Sequence, residues 1–306
     1  MKLNLDCLPC LLRQSLQTVR LSTSSAELQG QVVQASARLI AECDLVMTPP
    51  ALAGLVYKKI AEITGVTDPY AEKKEESNKI ALSLVSSLRQ EIRAKGGDAG
   101  FALALRFAIA GNIIDYGAYE EFDIFGTLAQ CRDAKFAIDH TGELISAVAK
   151  LPVGANVLYL ADNCGEIVFD SLLIEQLFEK GLTITVAVKD GAIINDALIS
   201  DAFIAGLDRY AEVITNGTMC PGTVLEIASK EFLENFRSAD LVISKGQGNF
   251  ESLSEENREI FFLLTVKCSA AAAHIQEISG VDGAVLSGAG EMVVLNSVVT
   301  IQRGSL

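Results

Sequence analysis

The chain has 306 residues, half of them hydrophobic, and a formal net charge of −14 at pH 7. This length suits one large domain or two domains, and the hydrophobic fraction is ample for a buried core. The negative charge argues against nucleic acid as a partner, because proteins bind phosphate backbones through clustered lysine and arginine, whereas a small phosphorylated ligand stays compatible if a divalent cation reverses the local charge.

The first 150 residues are predicted to form helices. Apolar residues recur at spacings of three and four over residues 10–20, 27–43, 51–64, 73–95 and 100–109. The breaks between these stretches contain serine, proline and glycine pairs, which are typical of turns. Thr48, which precedes two prolines, is a predicted helix N-cap.

From about residue 150 the pattern changes to short buried strands alternating with helices. Apolar runs at residues 156–161, 183–188, 212–215 and 240–244 are typical of strands buried on both faces, and a further strand is expected at 293–299. Helices are predicted at residues 167–180, 196–205 and 223–236. Strands that alternate with helices imply right-handed crossovers, and hence an α/β fold whose mostly parallel sheet carries helices on both faces.

Secretion and membrane insertion are not expected. No apolar run approaches the roughly 20 residues of a membrane-spanning helix, and the first residues lack the apolar core of a signal peptide. The expected location is therefore the cytoplasm. The chain has seven cysteines, an odd number that indicates free thiols rather than a disulfide framework. Assembly into a homo-oligomer stays open.

Polar residues follow each predicted strand at the point where the strand ends. The residues in question are Asp162, Asn163, Gly165 and Glu166 after the first, Lys189 and Asn195-Asp196 after the second, Asn216-Gly217-Thr218 after the third, and Lys245 to Glu251 after the fourth. Ligands of open parallel sheets bind beyond these strand ends, so the groups are expected to meet at one edge. Carboxylate and amide oxygens suit Mg²⁺ or Mn²⁺, and glycines with a lysine suit a phosphate.

Each of these motifs also has a purely structural explanation. Asp162-Asn163 before a glycine is common in turns, Asn195-Asp196 could cap a helix, and Lys245 could begin a solvated loop. The convergence of several strand ends favours the functional interpretation. Because the chain has only two histidines, a histidine-rich zinc site is not expected.

Several short motifs share the order and spacing of one known family. They are Cys7-Leu-Pro-Cys10, Asp68-Pro69-Tyr70 with Lys73 and Asn78, Arg106 with Gly111-Asn112 and Asp115, Asp162-Asn163-Cys-Gly165-Glu166, Asn195-Asp196, and Lys245-Gly246-Gln-Gly248-Asn249-Phe-Glu251. At these motifs the sequence resembles the damage-control phosphatases, long catalogued as a domain of unknown function. The N-terminal cysteine pair resembles the microbial branch of that family.

The resemblance implies a three-layer α/β/α phosphatase domain over residues 151–306 and a helical cap over residues 1–150 that forms a wall for the substrate. It implies hydrolysis of phosphate monoesters of small metabolites, such as sugar phosphates or damaged phosphometabolites, with Mn²⁺, Mg²⁺, Co²⁺ or Ni²⁺. Asp162, Asn163 and Asp196 would bind the metal, and Lys245 would join the two aspartates in catalysis by contacting the phosphate. The implied substrate-binding residues are Arg106, Asn112, Asp115, Gly165, Glu166, Gly246, Asn249 and Glu251. Either water or Asp162 would be the nucleophile.

Two other functions stay open at this point. A Rossmann-type methyltransferase or dehydrogenase agrees with the doubly wound pattern and with the Gly246-x-Gly248 pair, but no G-x-G-x-x-G follows the first predicted strand. A non-enzymatic metal- or redox-sensing module agrees with the C-x-x-C spacing of Cys7 and Cys10, which also suits simple helix packing.

Overall fold

The computed structural model describes residues 1–117, 131–281 and 285–298, and for residues 112–117 it describes the helical backbone only. Its α-helices include α1 (Cys7–Ser22), α2 (Ala26–Glu42), α3 (Pro49–Thr64), α4 (Ala71–Lys95), α5 (Gly97–Gly117), α6 (Thr141–Lys150), α7 (Glu166–Glu179), α8 (Ile199–Ile204), α9 (Lys230–Ser238), α10 (Gln247–Leu253) and α11 (Ser269–Ser279). Its strands are β1 (Ile138–Asp139), β2 (Asn156–Leu160), β3 (Thr183–Val188), β4 (Glu212–Thr215), β5 (Leu241–Lys245), β6 (Phe261–Val266) and β7 (Glu291–Asn296). None of the helices described is both long and apolar enough to cross a membrane.

The strands form one sheet in the order β1-β7-β6-β5-β2-β3-β4. Neighbouring strands are parallel except β6 and β7, which pair antiparallel. From β2 the chain builds outward through β3 and β4, then crosses back to place β5 on the other side of β2. The carboxyl ends of β2 and β5 therefore border the switch point where open α/β sheets bind ligands.

Alternate residues of each strand face two different hydrophobic cores, because successive side chains of a strand point to opposite faces. On β2, Val157 and Tyr159 face the core that contains α4, α5 and α7, whereas Leu158 and Leu160 face the core that contains α9, α10 and α11. The sheet is thus covered by helices on both sides. This arrangement confirms the predicted α/β fold with a mostly parallel sheet.

The helical half of the sequence is divided between two cores. Helices α1, α2 and α3 pack into a core of their own. Helices α4 and α5 instead pack in the core beneath the sheet, together with α7. The predicted domain boundary at residue 150 stays a prediction. The hydrophobic cores divide between α3 and α4, and before residue 150 β1 already pairs with β7 and α6 already packs in the core beneath the sheet.

Several predicted element bounds shift in the structure. The helix predicted from residue 196 begins at Ile199, because Asp196 forms an isolated β-bridge with Asn163. The helix predicted at 223–236 begins at Lys230, where the Ser229 side chain accepts from an amide of the first turn. The strand predicted at 293–299 overlaps β7, which begins at Glu291 and ends at Asn296. The Thr48 N-cap is confirmed, since its side chain accepts from Ala51 N.

Candidate active site

Asp162 and Asn163 connect the end of β2 to α7. Asn163 Nδ2 donates to Asp162 Oδ2 at 2.7 Å and to Glu166 Oε2 at 3.1 Å. Because ionised carboxylates only accept hydrogen bonds, the amide NH₂ must face them, and the carbonyl oxygen lies on the opposite side of the group. The pKa of Asp162 is raised to about 6, first because burial disfavours the charged form and then because Glu166 is negative.

Asp196 approaches this pair from the loop that follows β3. It forms the β-bridge with Asn163, and the next residue, Ala197, donates its N–H to Asp162 O at 2.8 Å. Asp196 Oδ2 is buried without a hydrogen bond, and Lys189 Nζ lies 3.4 Å from it. Burial raises the pKa of Asp196 to about 7, although the Lys189 charge opposes the shift.

Asp162, Asn163 and Asp196 therefore lie together at one buried edge of the sheet, and their carboxylate and amide oxygens are of the kind that a hard divalent cation prefers. A buried carboxylate oxygen without a hydrogen bond and two carboxyl groups with raised pKa are features that a cation would compensate. The donor set fits Mg²⁺ or Mn²⁺. No cluster of three or more histidine, cysteine, aspartate or glutamate side chains of metal-binding type occurs within the described ranges, so a site built on Asp162 and Asp196 would need the amide of Asn163 as its third ligand.

Lys245 lies at the end of β5 with its ammonium group fully buried. Its Nζ donates to Ala108 O at 2.8 Å, to Glu166 Oε1 at 2.5 Å and to Asp170 Oδ1 at 2.6 Å. Burial alone would lower the pKa of Lys245, but Asp170 and Glu166 raise it above the ordinary value. Since an ammonium has three N–H groups, this arrangement leaves none for the predicted contact with phosphate.

Lys189 provides a second buried ammonium group at the same edge. Its Nζ lies 3.4 Å from Asp196 Oδ2 and 3.5 Å from Asn249 Oδ1, both longer than an ordinary hydrogen bond. Lys189 is therefore better placed than Lys245 to contact a phosphoryl group beside Asp196. In the sequence, Lys189 directly follows the strand that becomes β3, but no role was predicted for it.

Gly246 and Asn249 join the ends of β5 and β2. Gly246 has φ +77°, and a Cβ atom there would lie 1.9 Å from Asp162 Oδ2, so only glycine admits the carboxylate. Asn249 Nδ2 donates to Lys245 O at 2.8 Å and to Ala161 O at 3.2 Å. Both residues thus shape the site, and their predicted substrate contacts stay predictions.

Gly165 and Glu166 also contact protein groups at the start of α7. Gly165 N–H donates to Asn78 Oδ1 at 2.7 Å. Glu166 is 1% exposed, and its two oxygens accept from Asn163 and Lys245. Asn78 belongs to one of the family motifs, and its side-chain oxygen holds the backbone at the start of α7. Substrate binding by Gly165 and Glu166 stays a prediction.

The remaining predicted substrate residues on the helical side lie on α5. Arg106 Nη1 donates to Ala134 O at 2.6 Å, and its guanidinium carbon lies 4.5 Å from the Phe136 ring centroid. Asn112 and Asp115 fall outside the residues whose side chains the structure describes. The predicted closure of α5 over the substrate therefore stays a prediction.

Glu251 on α10 lies near Asp162 on one side and near Cys7 and Cys10 on the other, close enough for their charges to interact. Burial is the main cause that raises the pKa of Glu251 to about 7. Burial also raises the pKa of Cys7 to about 11 and that of Cys10, and the nearby charges of Cys268 and Glu251 add to both shifts. The raised pKa values disfavour a thiolate at Cys7 and Cys10, and the packing, redox and metal roles of this pair stay predictions.

Most of the chain is similar to proteins named as phosphatases. Residues 3–280 match the family model described as the damage-control phosphatase ARMT1-like domain. A damage-control phosphatase of Pyrococcus horikoshii is 35% identical over 92% of this chain and 96% of that protein. A damage-control phosphatase of Archaeoglobus fulgidus is 35% identical over 90% of this chain and 96% of that protein.

Solved structures agree with this result. The crystal structure of a DUF89 family protein from Pyrococcus horikoshii superimposes with a TM-score of 0.84 and 33% identity, covering 97% of this chain and 99% of that chain. These similarities confirm the family that the sequence motifs predicted. The microbial branch inferred from Cys7 and Cys10 stays a prediction.

Proposed function

We propose that this chain, which belongs to the damage-control phosphatase family with the ARMT1-like domain, is a divalent-metal-dependent phosphatase of small phosphorylated metabolites. Family membership makes the chain a phosphatase of the damage-control type. The metal and the substrate class are the proposal. The observation that carries it is the convergence of Asp162, Asn163 and Asp196 at the carboxyl edge of the sheet, beside the buried ammonium of Lys189.

The buried charges at this edge fit a divalent cation. Hydrogen bonds and close contacts link four buried carboxylates, Asp162, Glu166, Asp170 and Asp196, to two buried ammonium groups, Lys189 and Lys245, partly through the Asn163 amide. When all six are ionised, four negative and two positive charges leave an excess of two negative charges. A buried excess of this size is costly without a counterion, and one divalent cation would balance it. Mn²⁺ and Mg²⁺ suit the oxygen donors best, and Co²⁺ and Ni²⁺ are further candidates.

The residues of the site divide the work between binding and activation. A divalent cation bound by Asp162, Asn163 and Asp196 would polarise the phosphoryl group and neutralise part of its charge. Lys189 would add a second positive contact to a phosphoryl oxygen. Burial of these groups strengthens each electrostatic contact because bulk water is excluded. Either a water oriented by a carboxylate or Asp162 itself would attack phosphorus, and the P–O bond to the metabolite would break, with the metabolite leaving as its alcohol after it takes up a proton. Attack by Asp162 would need a second step in which water hydrolyses the aspartyl-phosphate.

The substrate would be a small phosphate monoester, such as a sugar phosphate, in the cytoplasm. The formal net charge of −14 supports a small substrate over nucleic acid, because only a local cation and lysine need to face the phosphate. Arg106, Asn112 and Asp115 on α5 are the candidates for contacts with the leaving group.

A metal-by-substrate screen tests the proposal. The chelator-treated protein is assayed with Mn²⁺, Mg²⁺, Co²⁺ or Ni²⁺ on an aryl phosphate and on sugar phosphates, with Asp196→Ala as the blank. We expect hydrolysis that depends on added metal and that the blank lacks. Undiminished hydrolysis in chelator would contradict metal dependence. Mn²⁺ binding without hydrolysis of any substrate would favour a binding module, and thermal stabilisation by NAD or S-adenosylmethionine would favour the nucleotide-dependent alternative.

A further inference from the structure

A chain of buried hydrogen bonds runs behind the metal-binding residues. Tyr159 OH donates to Asp170 Oδ1 at 2.8 Å, and Lys245 Nζ donates to the same oxygen at 2.6 Å. Lys245 Nζ also donates to Glu166 Oε1, whose partner oxygen Oε2 accepts from Asn163 Nδ2 at 3.1 Å. An unbroken path of polar contacts thus connects the interior of β2 with the amide that supplies the third metal ligand.

Lys245 is the member that keeps this chain together. Glu166 and Asp170 are one turn apart on α7, so their carboxylates lie on the same face of that helix. Both are buried, and two buried carboxylates repel each other unless a cation lies between them. Lys245 reaches them from β5 and donates to both, which sets the position of the Glu166 carboxylate relative to the sheet.

The position of Glu166 in turn determines how the Asn163 amide is turned. The NH₂ of Asn163 is shared between the Asp162 and Glu166 carboxylates. This contact turns the amide carbonyl away from the two oxygens that accept from the NH₂, so Asn163 would present its oxygen to a cation on that side. An amide that rotated by half a turn would present NH₂ to the cation, which no metal site tolerates.

We propose that Lys245 and Asp170 are positioning residues that fix the Asn163 amide for the divalent cation, and that Lys189 rather than Lys245 contacts the phosphoryl group. The inference rests on the proposed function for the cation itself. Groups behind a metal ligand typically change metal affinity by about 10- to 100-fold when removed.

The two buried lysines form a matched pair for the test. Lys245→Met and Lys189→Met each remove one positive charge from the same carboxylate network and keep the aliphatic stem. Electrostatics alone predicts tighter Mn²⁺ binding by both variants. We expect Lys245→Met to bind Mn²⁺ about 10- to 100-fold more weakly. We expect Lys189→Met to bind Mn²⁺ at least as tightly as the wild type, while its inhibition constant for inorganic phosphate rises about tenfold or more.

Calorimetric Mn²⁺ titration and phosphate inhibition separate the two roles, and the melting temperature reports folding. Lys245→Met leaves the Glu166 and Asp170 carboxylates without a cation. The hydrogen-bond chain is therefore also tested at its far end with Tyr159→Phe, which changes no charge. We expect this variant to bind Mn²⁺ about threefold more weakly. Ser171→Ala is its control, because Ser171 Oγ donates to Val168 O at 2.6 Å on the same helix outside the chain.

Three outcomes overturn the inference. Unchanged or tighter Mn²⁺ binding by Lys245→Met with a raised phosphate inhibition constant would make Lys245 the phosphate contact. Equal Mn²⁺ affinities of Tyr159→Phe, Ser171→Ala and the wild type would show that the hydrogen-bond chain does not affect metal binding. Metal-dependent hydrolysis by the wild type would still support the proposed function. A wild type that neither binds Mn²⁺ nor hydrolyses phosphate esters would end the proposed function together with the inference.

Discussion

The two halves of the candidate site are positioned by different physical means. Asp162 and Asn163, at the end of β2, are fixed by directional hydrogen bonds to charged groups within the sheet core. Asp196 and Lys189 follow β3, and backbone hydrogen bonds join the loop between them to the end of β2, including Cys164 N–H to Asn195 O at 2.9 Å and Ala197 N–H to Asp162 O at 2.8 Å. The same loop also has an apolar contact, since Ile193 packs in the core of α1, α2 and α3. The first half is thus held by side-chain hydrogen bonds, whereas the second half also depends on packing against a separate helical core.

The half that follows β3 contains two energetically unfavourable features. Ile194 adopts φ +45°, a left-handed conformation that costs a β-branched residue roughly 1–2 kcal/mol or more. Asp196 Oδ2 is buried without a hydrogen bond, whereas Asp162 Oδ2 accepts one from Asn163. A shared cation would add a side-chain link to the backbone hydrogen bonds that already join the loop to β2, because it would bind the Asp196 oxygen that lacks a hydrogen bond.

The strongest test of this comparison is a double-mutant cycle between the halves. Asp162→Asn and Asp196→Asn keep the side-chain volume, and each should lower turnover by about 10³-fold or more, because each removes a charge from the shared cation. The double variant should lose little more than either single variant, since residues that act as a unit are not additive. Turnover and Mn²⁺ affinity are measured for all four proteins. Additive losses would mean that the halves do not share one ion.

A second test disturbs only the half of the site at the end of β2. Gly246→Ala places a methyl group where the Asp162 carboxylate lies, with Oδ2 at 1.9 Å, so the carboxylate must move. We expect turnover to fall by about 10²-fold, as misplacement by about 1 Å often costs this much. Gly30→Ala, which has no atom within 4 Å of its new Cβ, is the control and should keep full activity. Wild-type turnover in Gly246→Ala would show that the site tolerates displacement of the Asp162 carboxylate.

How well each half could be predicted from the sequence follows from the same difference. Strand ends are readable because buried strands are continuous apolar runs, so the positions of Asp162, Asn163 and Asp196 at one edge were predicted correctly. The β-bridge of Asp196 was mistaken for a helix start, since an aspartate before apolar residues has the same local pattern in both cases. Local patterns thus locate the strand ends without fixing the path of the loop.

Long-range partners were the part that local patterns could not give. Lys245 after a strand looks like a phosphate contact, and only the packing of α5 and α7 against β5 shows that Ala108, Glu166 and Asp170 use its three N–H groups. Ile193 likewise reads as one apolar residue in a loop. Its role depends on the core of α1 to α3, whose separation from α4 and α5 has no signature in helical periodicity.

The pH dependence of metal binding tests both halves together. The folded-state pKa values of Asp162 and Asp196, about 6 and about 7, lie above the ordinary value of 3.8 because burial favours the protonated form. The metal-free protein should therefore lose stability as pH rises from about 4 to about 7. Mn²⁺ must displace these protons, so its affinity should rise at least about tenfold between about pH 5 and pH 7.

The control for this titration is Asp196→Asn, which should show a smaller pH dependence of Mn²⁺ affinity by about one proton per ion. Thermal stabilisation by a fixed Mn²⁺ concentration should follow the same trend and be larger at alkaline than at acidic pH. An affinity that does not change across this range would mean that neither carboxylate binds the ion.

The half that follows β3 is tested most specifically by Ile193→Ala. Ile193 and Ile60 are buried in the same helical core, 3% and 2% exposed, but only Ile193 belongs to the loop that carries Asp196. Each alanine variant should lower the free energy of unfolding by about 2–5 kcal/mol. Ile193→Ala should also weaken Mn²⁺ binding by about three- to tenfold, because the loop loses its anchor and must be ordered by the ion. Ile60→Ala should bind Mn²⁺ as the wild type does. If both variants lose Mn²⁺ affinity equally, the α1–α3 core acts on the site as a whole, and the loop contact has no special part.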